Sequence, residues 1–308
     1  MKKANNKNIA HSILQRLLNR AKANEEDFNF LLSRYGMERF LYRLSISSYN
    51  ERFLLKGASL FLVWMGQNHR VTRDADLLCF GSSNLQSLAE IFRNICSIGC
   101  GVDGMVYDAD TLKVEEIREG HEYDGVRITL VGFLNKAKIP LQIDIGFGDT
   151  ITPAPENIEY PTLLDSPSPK LRAYPRYTLV AEKLEAMVYF GLANSRMKDF
   201  YDIWLLSTRF PFKGDILSTA IKNTFNRRET PLPSDVPFAF TSDFHKDRQK
   251  KIQWNTFIRK SNPNVCIDDL SLIIGEISRF LQPVIGSIQS ESNFEKEWQP
   301  KYGWIQKQ

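Results

Sequence analysis

Arg73-Asp74-Ala75-Asp76-Leu77-Leu78-Cys79-Phe80 opens with alternating polar and apolar residues, the mark of a strand with one face buried. Strand side chains repeat every two residues, so Asp74 and Asp76 share a face, about 7 Å apart along the chain. Ala75, Leu77 and Cys79 point the other way. Carboxylates held that close repel one another unless a cation or a proton intervenes. Hard divalent ions such as Mg²⁺ take oxygen ligands of this kind. Solvated aspartates on an exposed strand face are the alternative, so the flanking sequence has to decide.

Upstream, Leu54-Leu55-Lys56 leads through Gly57-Ala58-Ser59 into an apolar helix candidate, Ala58 to Met65. A glycine at such a turn lets backbone approach a ligand closely. The N–H groups of a following helix suit phosphate, and Ser59 adds a hydroxyl; a simple helix cap is the alternative. Downstream, residues 85–98 read as a helix, and 126–131 and 139–147 read as strands. In the last of these, Ile139, Leu141, Ile143, Ile145 and Phe147 share one face, and Asp144 lies on the other with Gln142. An aspartate inside so apolar a strand runs against strand propensity. A third carboxylate beside the first pair would complete a two-metal site. Ahead of this α/β part, residues 8–45 carry helical apolar stripes.

Six of the 14 prolines fall between Pro153 and Pro175, which predicts an extended connector. Beyond it the chain is patterned for helices over 179–190, 198–206 and 267–281. Lys183 falls inside the stripe of Leu179, Val180, Leu184, Met187 and Val188. A lysine there is expensive to bury unless its charge is used; snorkelling along the stripe's edge is the alternative. Asp199 and Asp202 are helical neighbours among Phe200, Tyr201, Ile203 and Trp204. Acids on a nearly all-apolar helix need partners, and Lys183, Arg196 and Lys198 are candidates. A structural ion-pair network would also explain them. The expected organisation is residues 1–150 as N-terminal helices plus an α/β lobe, 151–177 as connector, and 178–308 as a helical lobe.

Composition excludes several classes. The 308 residues are 43% hydrophobic and 25% charged, ordinary for a globular protein. No apolar run approaches the roughly 18 residues of a membrane span. The opening Met1-Lys2-Lys3 leads into no apolar signal core. Four scattered cysteines, Cys79, Cys96, Cys100 and Cys266, argue for reduced thiols in a cytoplasmic protein. The net charge of +4 resolves into +5 over residues 1–50, +5 over 213–260, and −6 elsewhere. The second basic block holds Lys222, Arg227, Arg228, Lys246, Arg248, Lys250, Lys251, Arg259 and Lys260. With Phe225, Trp254 and Phe257 it is a candidate RNA surface, able to track phosphates and stack bases.

The order Gly-x-Ser, Asp-x-Asp on a strand, then a third acid on a later strand resembles the polymerase-beta-like nucleotidyltransferases. More closely, the chain resembles the AbiEii/AbiGii toxin family, the nucleotidyltransferase half of an abortive-infection toxin–antitoxin pair. Six blocks carry this: Glu38 to Leu44, Leu55 to Leu60, Arg70 to Leu77, Gln142 to Asp149, Ala181 to Ala186 and Lys198 to Ile203. Ala58 and Ala75 depart from the residues frequent at those positions, and neither departure removes a ligand.

The resemblance implies an α+β fold with a polymerase-beta-like core, N-terminal helices and a mainly helical C-terminal lobe that completes the active site. It implies that Asp74 and Asp76 bind Mg²⁺ (or Mn²⁺) and the triphosphate of an NTP, while Gly57 and Ser59 hold phosphate oxygens. Lys183 would contact the nucleotide phosphates. Asp199 would be a distal catalytic acid supported by Asp202, and Asp144 would occupy the third-acid position as metal ligand or acceptor activator. The implied acceptor is an RNA, a tRNA 3′ end in related toxins, and the implied partner is an AbiEi-type antitoxin. A protein hydroxyl as acceptor, or a binding module without turnover, would fit the same fold. Thr72, two residues before Asp74, shares its face; phosphorylation there would set negative charge beside the carboxylates.

Overall fold

The computed structural model describes residues 2–67, 70, 72–118, 124–263, 265 and 267–307. Val71 and Cys266 lie outside the described residues. The chain forms two compact units, one of Met1–Asn68, Thr72–Gly148 and Glu156–Ala173, the other of His69–Val71, Asp149–Pro155 and Tyr174–Gln308. Among the described residues no helix is long and apolar enough to cross a membrane.

The first unit opens with helices α1 (Lys2–Ala23) and α2 (Phe28–Ser45). Asp27 separates them because its carboxylate caps α2, accepting the Phe30 N–H at 2.7 Å. Then come β1 (Phe53–Lys56), α3 (Leu60–Met65), β2 (Asp74–Cys79), α4 (Leu85–Ser97), β3 (Met105–Arg118), β4 (Asp124–Leu134), β5 (Ala137–Phe147), β6 (Glu156–Glu159) and β7 (Lys170–Ala173). The seven strands form one mixed sheet in the order β3-β4-β5-β2-β1-β7-β6. Two pieces of the proline-rich segment are thus strands, β7 lying parallel to β1 and β6 antiparallel to β7. The segment's prolines lie outside both strands, and β6 takes the edge of the sheet.

Helix α2 sits against β5 at Gly36, where an added Cβ would come within 2.8 Å of Ile139. Glu38, Arg39 and Arg43 turned out to be structural. Arg43 grips Asp103 with two bonds of 2.7 and 3.1 Å, Arg39 reaches the same carboxylate at 3.3 Å, and Glu38 accepts the Leu163 N–H at 2.7 Å. All four side chains are buried, and the charges balance in pairs, as burial demands. Burial nevertheless raises the Glu38 carboxyl to about 7, against the pull of the Leu163 N–H and Arg39.

The second unit contains α5 (Arg176–Phe190), α6 (Met197–Arg209), β8 (Phe212–Lys213), α7 (Gly214–Arg227), α8 (Ser242–Lys246), α9 (Arg248–Ser261), α10 (Leu270–Gln289), β9 (Lys296–Gln299) and β10 (Gly303–Gln306). Its core is α10, whose Ile273, Ile277, Phe280, Leu281 and Val284 are fully buried. The strands form a small sheet, β10-β9-β8. Trp298 of β9 is buried and donates its indole N–H to the Ser207 carbonyl at 2.7 Å. Each fully buried side chain of this size contributes about 1.5–3 kcal/mol.

Candidate active site

In β2, Ala75 and Leu77 are buried while Asp74 and Asp76 are half-buried on the opposite face. The sheet register places charges in a row across five strands. Lys56 of β1 faces Asp76, Asp76 faces Asp144 of β5, Asp144 faces Arg127 of β4, and Arg127 faces Glu115 of β3. Neighbouring strands lie about 4.8 Å apart, so Asp76 and Asp144 are like charges side by side. Each also has a basic residue on its outer flank.

The two acids are not equivalent. Arg127 clasps Asp144 bidentately, Nε and Nη2 each 2.8 Å from an oxygen. Asp74 instead accepts a 2.8 Å hydrogen bond from the Thr72 hydroxyl. Among the described residues no three His, Cys, Asp or Glu side chains are gathered for a metal. Arg127, absent from the sequence reading, is the side chain that engages Asp144.

Gly57 begins a 3₁₀ turn, Gly57–Ser59, that feeds α3. Its φ is +72°, and an added Cβ would lie 1.9 Å from Oδ2 of Asp76. The glycine is therefore demanded twice, by backbone conformation and by the carboxylate against it. Gly57→Ala should lose about 2 kcal/mol or more through strain and displacement of Asp76; a thermal melt indistinguishable from wild type would contradict this close approach. Helix α3, which follows the turn, has six residues. Ser59 is buried, and its hydroxyl lies 3.3 Å from the Lys56 carbonyl.

In the second unit Lys183, Asp199 and Asp202 come together as an alternating chain of charge. Arg70 binds both oxygens of Asp202 at 3.0 and 3.1 Å. Lys183 Nζ lies 2.9 Å from Asp202 and 2.6 Å from Asp199, and Arg196 Nε lies 2.6 Å from the other oxygen of Asp199. Lys183 is 8% exposed and both aspartates are fully buried. It does not snorkel; its charge is spent on two carboxylates. Arg70, Lys183 and Arg196 thus bring three cations to these two carboxylates among the described residues, and positive charge favours an anionic ligand. Arg70 lies four residues before Asp74, and no local pattern points it to a partner as far along the chain as Asp202.

Burial alone would lower the Lys183 pKa, but Asp199 and Asp202 hold it above the ordinary lysine value. Burial alone would raise Asp199; Lys183, Arg196 and Lys198 instead hold it down at about 2. A carboxyl depressed below its unfolded value of 3.8 adds stability that is complete above that pH. The contribution fades as pH falls toward about 2. Thermal midpoints should therefore drop across that window, and Asp199→Asn should flatten the drop.

The basic block of residues 213–260 is thinner as a surface than its sequence suggests. Phe225 and Trp254 are 1% exposed, and Lys250 is 3% exposed. Arg228 pairs with Asp149 at 3.1 Å, Glu185 at 2.8 Å and Glu182 at 3.6 Å. These aromatics are core, and both cations are structural. Lys222, Arg227, Lys246, Arg248, Lys251, Arg259 and Lys260 remain exposed.

A crystal structure of JHP933 from Helicobacter pylori has a related fold, with TM-score 0.51 and 15% identity over 85% of this chain and 94% of that one. A second H. pylori structure, with a provisional nucleotidyltransferase assignment, gives TM-score 0.48 and 14% identity over 86% and 98%. A search of curated proteins finds no match. The family model described as nucleotidyl transferase AbiEii toxin, type IV toxin–antitoxin system, matches residues 39–266. That span takes in the charged row of the sheet, the Gly57 turn and the Lys183–Asp199 cluster, so this chain belongs to the AbiEii nucleotidyltransferase toxins.

Proposed function

We propose that this toxin transfers a nucleoside monophosphate from an NTP to an RNA, with a tRNA 3′ end as acceptor, in a Mg²⁺-dependent reaction. The observation that carries the reading is the half-buried Asp74–Asp76 pair, with Gly57 backbone pressed against Asp76. Mg²⁺ commonly binds through one or two carboxylates plus substrate phosphates and water. Two oxygen-donor side chains without a full protein cage fit that habit. Asp74 and Asp76 would hold the ions. When bound, these lower the pKa of the acceptor hydroxyl and neutralise the departing pyrophosphate.

The acceptor oxygen forms a bond to the α-phosphorus in line, the α–β phosphoanhydride bond breaks, and pyrophosphate leaves with the electron pair. The protein's share is positioning and charge stabilisation. Lys56 and Arg127 flank the acid row and limit its repulsion. Asp144 is assigned the third-acid role, as metal ligand or as acceptor of the hydroxyl proton. In either use Asp144 would share its oxygens with Arg127, which takes one acceptor site on each. Lys183, with Asp199 and Asp202 fixing its ammonium, is assigned to the nucleotide's phosphates, and Ser59 with Gly57 to phosphate oxygens. The exposed lysines and arginines of residues 222–260 supply the RNA-facing charge.

The biological setting proposed is cytoplasmic abortive infection, with an AbiEi-type antitoxin as partner. Thr72 is a candidate control point. Its hydroxyl already bonds Asp74, so a phosphate there would repel the carboxylates and compete for the incoming triphosphate. Mass spectrometry of toxin co-expressed with its antitoxin tests this, and an unmodified Thr72 in inactive protein would end it. Incubating the protein with each labelled NTP, Mg²⁺, and either total RNA or total protein tests the main reading. Label on RNA is expected; label on protein alone would move the activity to a protein hydroxyl, and no label would leave a binding module.

A further inference from the structure

We propose that Lys250, buried and remote in sequence from every motif residue, is a positioning residue that fixes Asp199 through the turn between α5 and α6. Lys250 is 3% exposed on the first turn of α9. Its ammonium donates to the backbone carbonyl of Asn194 at 2.8 Å and stands 5.2 Å from the centre of the Phe244 ring. Among the described residues it makes no ion pair. Burial accordingly pulls its pKa below the usual lysine value, with Asp247 opposing. A buried ammonium without a carboxylate partner is costly. An apolar side chain of equal length would fill the same space at less expense.

What the charge holds is specific. Asn194 is 1% exposed, and its side-chain oxygen accepts the Arg196 N–H at 2.8 Å. Arg196 in turn bonds Asp199 twice, its guanidinium donating to the carboxylate at 2.6 Å and its carbonyl accepting the Asp199 N–H at 2.9 Å. The chain of bonds therefore runs from Lys250 to Asn194, to Arg196, to Asp199, and on to Lys183. The turn, Gly191 to Arg196, has no apolar side chain that is fully buried. These polar bonds join the turn's own Asn194 N–H to Gly191 carbonyl bond of 3.2 Å in holding it. Without Lys250 it would be free to shift, and Arg196 would lose its aim at the carboxylate.

This inference rests on the proposed part of Asp199 in transfer, so the experiment has an arm independent of activity. Full-length Lys250→Met, Lys250→Arg, Arg196→Gln, the Lys250→Met/Arg196→Gln double variant and Asp199→Asn are compared. In Lys250→Met, kcat for labelled-nucleotide transfer should fall about tenfold or more while KM for NTP stays within about twofold. Lys250→Arg, which can still reach the Asn194 carbonyl, should recover most of the rate. The double variant should be no slower than Arg196→Gln alone, because both changes break one chain. Independently of turnover, the acid-sensitive window of the thermal midpoint should move upward in Lys250→Met, as Asp199 loses part of its support from Arg196. Unchanged kcat together with an unmoved acid window, or an additive double variant, would overturn the proposal. If Asp199→Asn transfers at the wild-type rate, the role assigned to Asp199 fails. The acid window of Lys250→Met then still decides whether Lys250 governs that carboxylate.

Discussion

Asp74→Asn should reduce nucleotidyl transfer by about a thousandfold or more, which is about 4 kcal/mol of transition-state stabilisation. The substitution changes no volume and keeps an oxygen able to accept the Thr72 hydroxyl, its recorded hydrogen-bond partner at 2.8 Å. Fold and melting temperature should therefore stay within about 1 kcal/mol of wild type. What disappears is one negative charge on the half-buried face of β2, and with it one of the two carboxylates proposed to hold the ions. The loss should appear in kcat/KM at every Mg²⁺ concentration. Asp76→Asn should act in the same direction. It carries an added structural signal, because Asp76 packs against Gly57 and faces Lys56 across the sheet. A variant pair with full activity and unaltered Mg²⁺ dependence would remove the carboxylates from the mechanism.

Lys183→Met should strike both stability and activity. The ammonium is the centre of the chain Arg70–Asp202–Lys183–Asp199–Arg196, and its removal takes a cation from each of two fully buried carboxylates. Breaking a buried pair from one side costs about 3–5 kcal/mol. Arg70 and Arg196 should hold the cost toward the lower end. Below pH 3.8 the penalty should shrink, since Asp199, no longer held down by Lys183, would take up a proton. Asp199→Asn in the Lys183→Met background should recover part of the stability. It should not recover transfer if the lysine is needed at the nucleotide's phosphates. Recovery of both would mark the lysine as structural only. A chemical-denaturation series across pH, run beside the transfer assay, separates the two effects.

The parts of this molecule that were legible in its sequence are those with a strong local period. Strands β2, β4 and β5 and helices α2, α4, α5 and α6 were all announced by alternation or stripes. β3 was not, because it is an edge strand with polar residues at half its positions and an irregularity between Asp108 and Lys113. Charge and irregular pairing guard an edge against further strands, and they also erase the signal. The C-terminal hairpin of β9 and β10 was missed for a related reason. Lys296-Glu297-Trp298-Gln299 offers one apolar residue, and its burial depends on Phe280 and Ser207, far away in sequence.

The candidate site divides in the same way. Asp74 and Asp76 share a face by arithmetic alone, whereas Arg127 and Arg70 gained their meaning only from register and packing. The basic block misled in the opposite direction. Residue type made Arg228 and Lys250 look like RNA ligands, yet long side chains can turn inward wherever acids or carbonyls await them. Net charge over a segment therefore overstated the surface, and only burial told the two groups of cations apart.

The central claim is transfer of the α-phosphoryl nucleotide unit to RNA by a carboxylate-held Mg²⁺ site. It is tested most directly with two labels on one NTP, incubated with Mg²⁺, tRNA and either the wild-type protein or Asp74→Asn. The account predicts that wild type moves the α-phosphate label onto the RNA, leaves the γ-label in pyrophosphate, and does neither without Mg²⁺, while Asp74→Asn moves almost nothing. Label arriving from the γ-position, or α-label transfer undiminished in Asp74→Asn, would contradict it.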